Sequence, residues 1–301
     1  MIRIAAVVVT YNRIKLLQKV IDSLRKQTRP LDEIIVINNS STDGTSEWLA
    51  QQTNLTVYEQ PNVGGSGGFY RGIKEAYEAG YDWIWCMDDD VFPEPEALAT
   101  LLLEARPEVG ILVPRRFISG VPYISEVRKL NFSNPFTRLH KVRLRDCETV
   151  DSVTEIEGMT FEGPLIRREL IRKIGLPNKD LFILFDDTDY SYRAVLAGYK
   201  VLSVPQAKLN KYDFSKVQTV QESFETKKWK KKYDFRNNCY ISHHYGKNFF
   251  FRYFRSFPRL IARTFIVIFN LLWNKRYSFH EIPQLFLLYK QGMKEELSKI
   301  D

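Results

Sequence analysis

Residues 2–38 read IRIAAVVVTYNRIKLLQKVIDSLRKQTRPLDEIIVIN. Ile2 to Val9 is a short, β-branched apolar run that gives way to Thr10-Tyr11-Asn12, as a buried strand does on reaching a polar loop. Leu16, Leu17, Val20, Ile21 and Leu24 then recur at helical spacing, and Pro30 closes that pattern before a second apolar run, Glu33 to Asn38. This is a β-α-β unit. Downstream, Asn38 to Thr45 is a hydroxyl-rich cap for a helix over Ser46–Gln52, and a third strand follows at Leu55–Glu59. A Gly-rich loop over Asn62–Ile73 opens a helix that ends at Gly80, and the strand Asp82–Met87 runs into Asp88-Asp89-Asp90. Alternating strands and helices predict an α/β fold: a mainly parallel sheet, helices on both faces, and ligands at the carboxyl ends of the strands.

The pattern weakens between Arg115 and Val153, where short strands and loops are expected, and returns at Glu157. A helix is expected over Arg168–Ile174, a buried strand at Leu181–Phe185, and Asp186, Asp187 and Asp189 after it. A helix over Tyr190–Ala197 stops at Gly198, and a strand over Lys200–Val204 stops at Pro205. The rest is helical, aromatic and basic. The net charge of +8 is concentrated there: Lys208 to Asp301 carries 19 Lys and Arg against 8 Asp and Glu, while the part before it is slightly acidic. The division separates residues 1–207 from a basic, helical region over 208–301, whose clustered Lys and Arg suggest an anionic partner, either nucleic acid or a phospholipid surface.

With 301 residues, 44% hydrophobic and 27% charged, the composition is that of a globular protein and excludes general disorder. The longest uncharged run near the C-terminus, Thr264–Asn274, is eleven residues, short of the roughly 20 a spanning helix needs, so no membrane crossing is expected. The first residues lack the pattern of a secretory signal, and Cys86, Cys147 and Cys239 lack metal or redox spacing, which together predict a cytoplasmic chain, free or at the inner face of the membrane.

Three clusters carry chemistry. Asp88, Asp89 and Asp90 repel one another in a low-dielectric setting, a crowding that a divalent cation relieves, and Asp88 and Asp90 on an extended segment point to the same side. The alternative is an acidic first turn ahead of a helix, favoured by its dipole. The five glycines of 62–72 permit either a flexible turn or close backbone approach to a ligand, with Arg71 available to pair with phosphate. Asp186, Asp187 and Asp189 are either surface acidity or the source of a general base made basic by burial. His243 and His244 point apart and suggest no metal role.

In order, TYNR, VINNSSTDGT, PNVGGSGGFYRG, WCMDDDVFP, GPLIRRELIRKIG and FILFDDTDYSYRAVLAGYK resemble the successive motifs of the inverting glycosyltransferases of family 2, over about residues 2–205. The Gly-rich segment and triple aspartate look most like the branch with bacterial galactofuranosyltransferases and rhamnosyltransferases. KKWKKKYDFRNNCYISHHYGK looks like the helix that follows their catalytic domain.

The resemblance implies a GT-A nucleotide-diphospho-sugar fold. It implies a nucleotide-sugar site at Thr10, Tyr11, Asn12, Asn38, Asn39, Asp43, Gly64, Gly65, Gly68, Arg71, Asp88 and Asp89. Mn²⁺ or Mg²⁺ would be held by Asp88 and Asp90, and Asp187 would be the base. Two departures stand out. Asn38 and Asn39 lie where relatives commonly carry an aspartate against the pyrimidine, which leaves UDP and dTDP donors open. Where some relatives have a histidine metal ligand, this chain offers Asn210. The reaction implied is transfer of a sugar, galactofuranose or rhamnose, to a lipid-linked or polysaccharide acceptor in cell-surface glycan synthesis. Arg252, Arg255, Arg259 and Arg263 recur at helical spacing and suit an interfacial helix on anionic lipid, or equally a helix packed on the core or in a homo-oligomer contact. The alternatives are a nucleotidyltransferase, or a nucleic-acid-binding protein using Lys227–Lys232; no nucleic-acid signature accompanies that run.

Overall fold

In the computed structural model, residues 2–216, 220–273 and 278–300 are described. Asn274 and the side chain of Lys227, both part of sequence expectations, lie outside the described residues. By its internal contacts the chain divides into two units: Met1–Lys129 with Val142–Lys179 and Asp186–Val217, and Leu130–Lys141 with Asp180–Phe185 and Gln218–Asp301.

The first unit starts with β1 (Ile4–Thr10), α1 (Ile14–Arg25), β2 (Glu33–Asn38), α2 (Thr45–Leu49), β3 (Thr56–Glu59), α3 (Gly64–Glu78) and β4 (Trp83–Asp88). There follow β5 (Val91–Pro93), α4 (Ala97–Leu102), β6 (Val109–Ile118), β7 (Val121–Tyr123), and the paired strands β8 (Val127–Leu130) and β9 (His140–Arg143), of which Leu130, His140 and Lys141 fall in the second unit. The series closes with β10 (Thr154–Ile156), β11 (Leu165–Arg167), α5 (Arg168–Ile174), α6 (Asp186–Leu196) and β12 (Lys200–Lys211). The main path of the sheet is β10-β12-β6-β11-β4-β1-β2-β3. β1 pairs in parallel with β2 and β4, β2 with β3, and β12 with β6, while β11 and β10 run antiparallel. The fold is therefore the expected mostly parallel sheet between helical layers. Every residue of β1 is buried, Ile4, Ala6 and Val8 in one layer and Ala5, Val7 and Val9 in the other, which is why its sequence is continuously apolar. Because β1, β2 and β4 are parallel, Thr10, Asn38 and Asp88 end on one edge.

Three elements differ from expectation. Leu181–Phe185 is not a strand: Phe182, Leu184 and Phe185 have φ of 67–68°, a left-handed conformation that no strand tolerates. The strand expected to stop at Pro205 continues to Lys211, because a register shift between Val204 and Lys208 absorbs the proline, which cannot donate to the ladder. The Gly-rich segment is mostly helix. Of its glycines, Gly68 and Gly72 face β1: a Cβ on Gly72 would lie 2.2 Å from Val7 Cγ1, and one on Gly68 2.4 Å from Val9 Cγ1. They are glycine so that α3 can lie against the sheet.

The second unit contains α7 (Val220–Tyr245), α8 (Phe249–Phe254), α9 (Phe257–Trp273) and α10 (Glu281–Lys294). Phe235, Cys239, Leu260 and Leu288 form its core. Arg236 and Asn237 of α7 hold the left-handed segment: the Asn237 amide nitrogen lies 2.9–3.0 Å from the carbonyls of Leu181, Ile183 and Leu184, and Arg236 donates to that of Leu181 at 3.2 Å. The supposed basic stripe is largely spent on the unit itself. Arg252 donates to the Gly246 carbonyl, Arg255 to Thr137, and Arg263 pairs with Asp234. Beside the exposed Arg259, the outer face of α9 carries large apolar side chains, with Phe265, Phe269 and Trp273 at 67%, 54% and 70% exposure. The 25-residue stretch Phe249–Trp273, of mean hydropathy 1.3 over its most apolar window, is long and apolar enough by composition to cross a membrane. A search for an uncharged run misses it because Arg259 and Arg263 interrupt a stretch that is apolar on average.

Candidate active site

The carboxyl edge of β1, β2 and β4 carries a dense polar network. Asp89 accepts from Thr10 Oγ1 at 2.9 Å, from the Tyr11 amide at 3.3 Å and from Arg13 at 2.9 Å. It thereby ties the polar loop after β1 to the turn after β4. Asp43 accepts from the Ile14 amide at 2.9 Å and from Thr45 Oγ1 at 2.6 Å. These bonds outweigh its slight burial and hold the carboxyl below its usual range. Asn12, at φ 53°, accepts from the Thr42 amide at 2.7 Å and closes the same loop. Tyr11 is 46% exposed and faces solvent.

Other expected nucleotide contacts are turned inward. Asn38 donates to Ser46 and Glu59 and accepts from the Ser41 amide, while Asn39 donates to the Gly64 carbonyl and accepts from Gln60. Both are buried, and their amides brace the loops after β2 and β3. Arg71 pairs through Nε with Glu75 at 2.6 Å and stacks over Tyr58. Gly68 packs on Val9. Gly64 sits at positive φ at the start of α3, and Gly65 has open space beside it. The first helical turn of α3, then, is the part of the glycine segment that a ligand can approach.

Asp88 ends β4, and Asp89 and Asp90 form a turn, so the triplet is not extended as expected. The Asp88 carboxylate receives no hydrogen bond among the described residues. Burial, with the charges of Asp90 and Glu162, pushes its pKa well up, against the pull of Lys211. Asp90 is paired on both oxygens: Oδ1 with Lys211 Nζ at 3.1 Å, Oδ2 with Arg13 at 3.3 Å. Lys211 also contacts Glu162 at 2.8 Å, and Glu162 contacts the fully buried Arg116 at 2.8 Å. Glu162 is itself buried, yet these two cations hold its pKa down. Sequence reading missed Arg13, Arg116, Glu162 and Lys211. Asn210, the expected substitute ligand, borders a neighbouring cleft with Lys211.

Asp187 lies in the first turn of α6. Burial first, then the charge of Asp186, hold its pKa well above the ordinary carboxylate range, against hydrogen bonds from the Thr188 amide and hydroxyl. Asp186 is raised by burial, with the Ser66 hydroxyl opposing. Glu162 contributes to the raised pKa of both Asp88 and Asp187, so both carboxyl groups lie within its field. Asp189 is a structural partner of Arg193 at 3.3 Å.

No three His, Cys, Asp or Glu side chains converge as a ready-made metal cage among the described residues. A hard divalent cation needs less: one or two carboxylates, with substrate phosphates and water completing six oxygens. A half-buried carboxylate that receives no hydrogen bond among the described residues, beside two like charges, suits that chemistry, so Asp88 fits as an ion's first ligand.

The parallel β-α-β sheet thus carries an acidic triplet at its carboxyl edge and a further carboxylate cluster opening a later helix. The family model for glycosyl transferase family 2 matches residues 5–175, and the chain belongs to that family. Among curated relatives, a galactofuranosyltransferase (GlfT1) of Mycobacterium tuberculosis is 29% identical over 199 residues. That match covers 64% of this chain and 64% of the relative's length. The fold matches S. aureus TarS 1–349 solved with UDP, at TM-score 0.54 and 16% identity, over 98% of this chain and 82% of that one. It also matches GalNAc-T7 solved with UDP, GalNAc and Mn²⁺, at TM-score 0.53 and 16% identity, over 71% of this chain and 44% of that one.

Proposed function

We propose that this chain is an inverting glycosyltransferase that moves galactofuranose or rhamnose from a UDP- or dTDP-activated donor to a lipid-linked or polysaccharide acceptor in bacterial cell-surface glycan synthesis. The observation that carries the reading is Asp187: a half-buried carboxylate made basic by desolvation and the charge of Asp186, sharing the field of Glu162 with Asp88. In the reaction, Asp187 takes the proton of the acceptor hydroxyl as its oxygen attacks the anomeric carbon from the face opposite the nucleotide. The carbon–oxygen bond to the diphosphate breaks, configuration inverts, and the nucleoside diphosphate leaves. No covalent intermediate is needed, because an oxocarbenium-like transition state asks only for a base and a stabilised leaving group. Asp88 and Asp90 would hold Mn²⁺ or Mg²⁺, which supplies positive charge to the departing diphosphate. The loops after β1 and β2, shaped by Asn12 and Asp43, would border the nucleoside, with Tyr11 exposed at their rim. Support for the sugar and nucleotide comes from the galactofuranosyltransferase relative and the UDP-bound neighbour.

The exposed face of α9 is the proposed membrane contact. Its 17 residues extend about 26 Å, short of the ~30 Å hydrocarbon core, and an aromatic face with flanking arginines suits a helix lying in the interface.

Calorimetric titration of UDP, dTDP and GDP, each with and without Mn²⁺, tests the donor site. One pyrimidine nucleotide should bind, and bind more tightly with metal. Absence of binding by all three would refute the reading.

A further inference from the structure

Lys211 already occupies one carboxylate oxygen of Asp90, a member of the proposed metal-holding pair. The backbone of β12 is clamped there on both sides: Lys211 pairs with Val91 of β5 and with Ile118 of β6, and the Tyr212 amide donates to the Asp90 carbonyl at 2.9 Å. Its side chain is largely buried, at 15% exposure, and its ammonium nitrogen sits 3.1 Å from Asp90 Oδ1 and 2.8 Å from Glu162 Oε1. It also borders a cleft of about 410 Å³. The other Asp90 oxygen is taken by Arg13. An ion held by Asp88 and Asp90 would therefore have to share or displace a cation at Asp90, and the Lys211 ammonium would stay close by, since Glu162 and the pinned strand keep it there.

We propose that Lys211 is a tethered counter-ion that competes with the divalent metal for Asp90 and so weakens metal binding to the nucleotide-free enzyme. This rests on the reading of Asp88 and Asp90 as the metal-holding pair. The free chain keeps its acid cluster folded without metal, through Lys211 and Arg13. Metal entry then depends on the donor diphosphate, whose added negative charge offsets the repulsion and whose oxygens offer Lys211 a new partner. Lys211 thus acts through the occupancy of Asp90, which makes it a positioning residue for the ion.

The test is calorimetric titration of Mn²⁺ into the full chain without nucleotide and again with UDP, for wild type, Lys211→Gln, Lys211→Arg and Asp88→Asn. Removing a unit charge a few ångströms from a divalent ion should tighten nucleotide-free Mn²⁺ binding by about tenfold or more in Lys211→Gln. Lys211→Arg keeps the charge and should stay near wild type, which separates charge from packing. UDP should improve Mn²⁺ binding more in wild type than in Lys211→Gln. Asp88→Asn should lose Mn²⁺ binding in both conditions. Equal nucleotide-free affinity of wild type and Lys211→Gln, with Asp88→Asn still defective, would overturn the role of Lys211 and leave the metal pair standing. Failure of both wild type and Lys211→Gln to bind Mn²⁺ even with UDP would overturn the metal pair and this proposal with it. Circular dichroism and urea midpoints confirm that each variant is folded.

Discussion

The chemistry of this chain turns on a few carboxylates whose surroundings differ more than their sequence does. Asp186, Asp187 and Asp189 sit within four positions, yet Asp189 is spent on Arg193 while Asp187 is held protonated well above the usual range. Asp187→Asn keeps the shape and removes the base. It should lower kcat by about 10²–10⁴-fold with little change in donor affinity, read from steady-state transfer rates alongside nucleotide calorimetry. Because the Asp187 carboxyl keeps its proton into a range where an exposed aspartate is ionised, kcat should fall on acidification well above pH 4, and the profile reports the midpoint directly. The same shift sets a sign for stability. A carboxyl whose folded pKa is raised contributes its full stability below its unfolded value, and that contribution is lost as pH rises through the folded value. Denaturant midpoints should therefore decline over that interval in wild type and decline less in Asp187→Asn.

At the scale of elements, the β1-α1-β2 unit, β4 and the triple aspartate were legible because their apolar runs are buried on both faces and their periodicity is clean. Lys211 was hidden because the strand that carries it passes through Pro205 by a register shift, which no local propensity announces. Leu181–Phe185 misled for the opposite reason: an apolar run imitates a strand, and what bends it is an amide from Asn237, more than fifty residues away. Asn237→Ala would strand those carbonyls and should cost about 1–3 kcal/mol of stability, measurable by urea unfolding. The glycines of α3 were visible as a cluster, but their division of labour was not. Gly72→Ala places a Cβ 2.2 Å from Val7 and should destabilise by about 1–3 kcal/mol. Gly65→Ala meets open space and should be neutral or stabilising by up to about 1 kcal/mol. Equal losses in thermal melts of the two variants would contradict the packing role given to Gly72.

For the molecule as a whole, charge asymmetry pointed to a second region with a different task, and the helices of the second unit give that region form. Three of the four arginines read as a basic stripe, Arg252, Arg255 and Arg263, brace the unit, and much of the exposed surface of α9 is aromatic. Composition could not foretell this, since an arginine bonded to a carbonyl and one facing lipid are the same letter. Co-sedimentation with anionic vesicles should be strong for wild type and fall several-fold when Phe265, Phe269 and Trp273 are replaced by serine, with nucleotide binding unchanged; undiminished sedimentation would exclude α9 as the contact. The central claim, sugar transfer with Asp187 as base, is tested most directly by release of nucleoside diphosphate from UDP-galactofuranose and dTDP-rhamnose in the presence of membrane-derived acceptor. The account predicts acceptor-dependent turnover of one donor that collapses in Asp187→Asn while that variant still binds the nucleotide. Turnover of neither donor, or an Asp187→Asn rate equal to wild type, would contradict it.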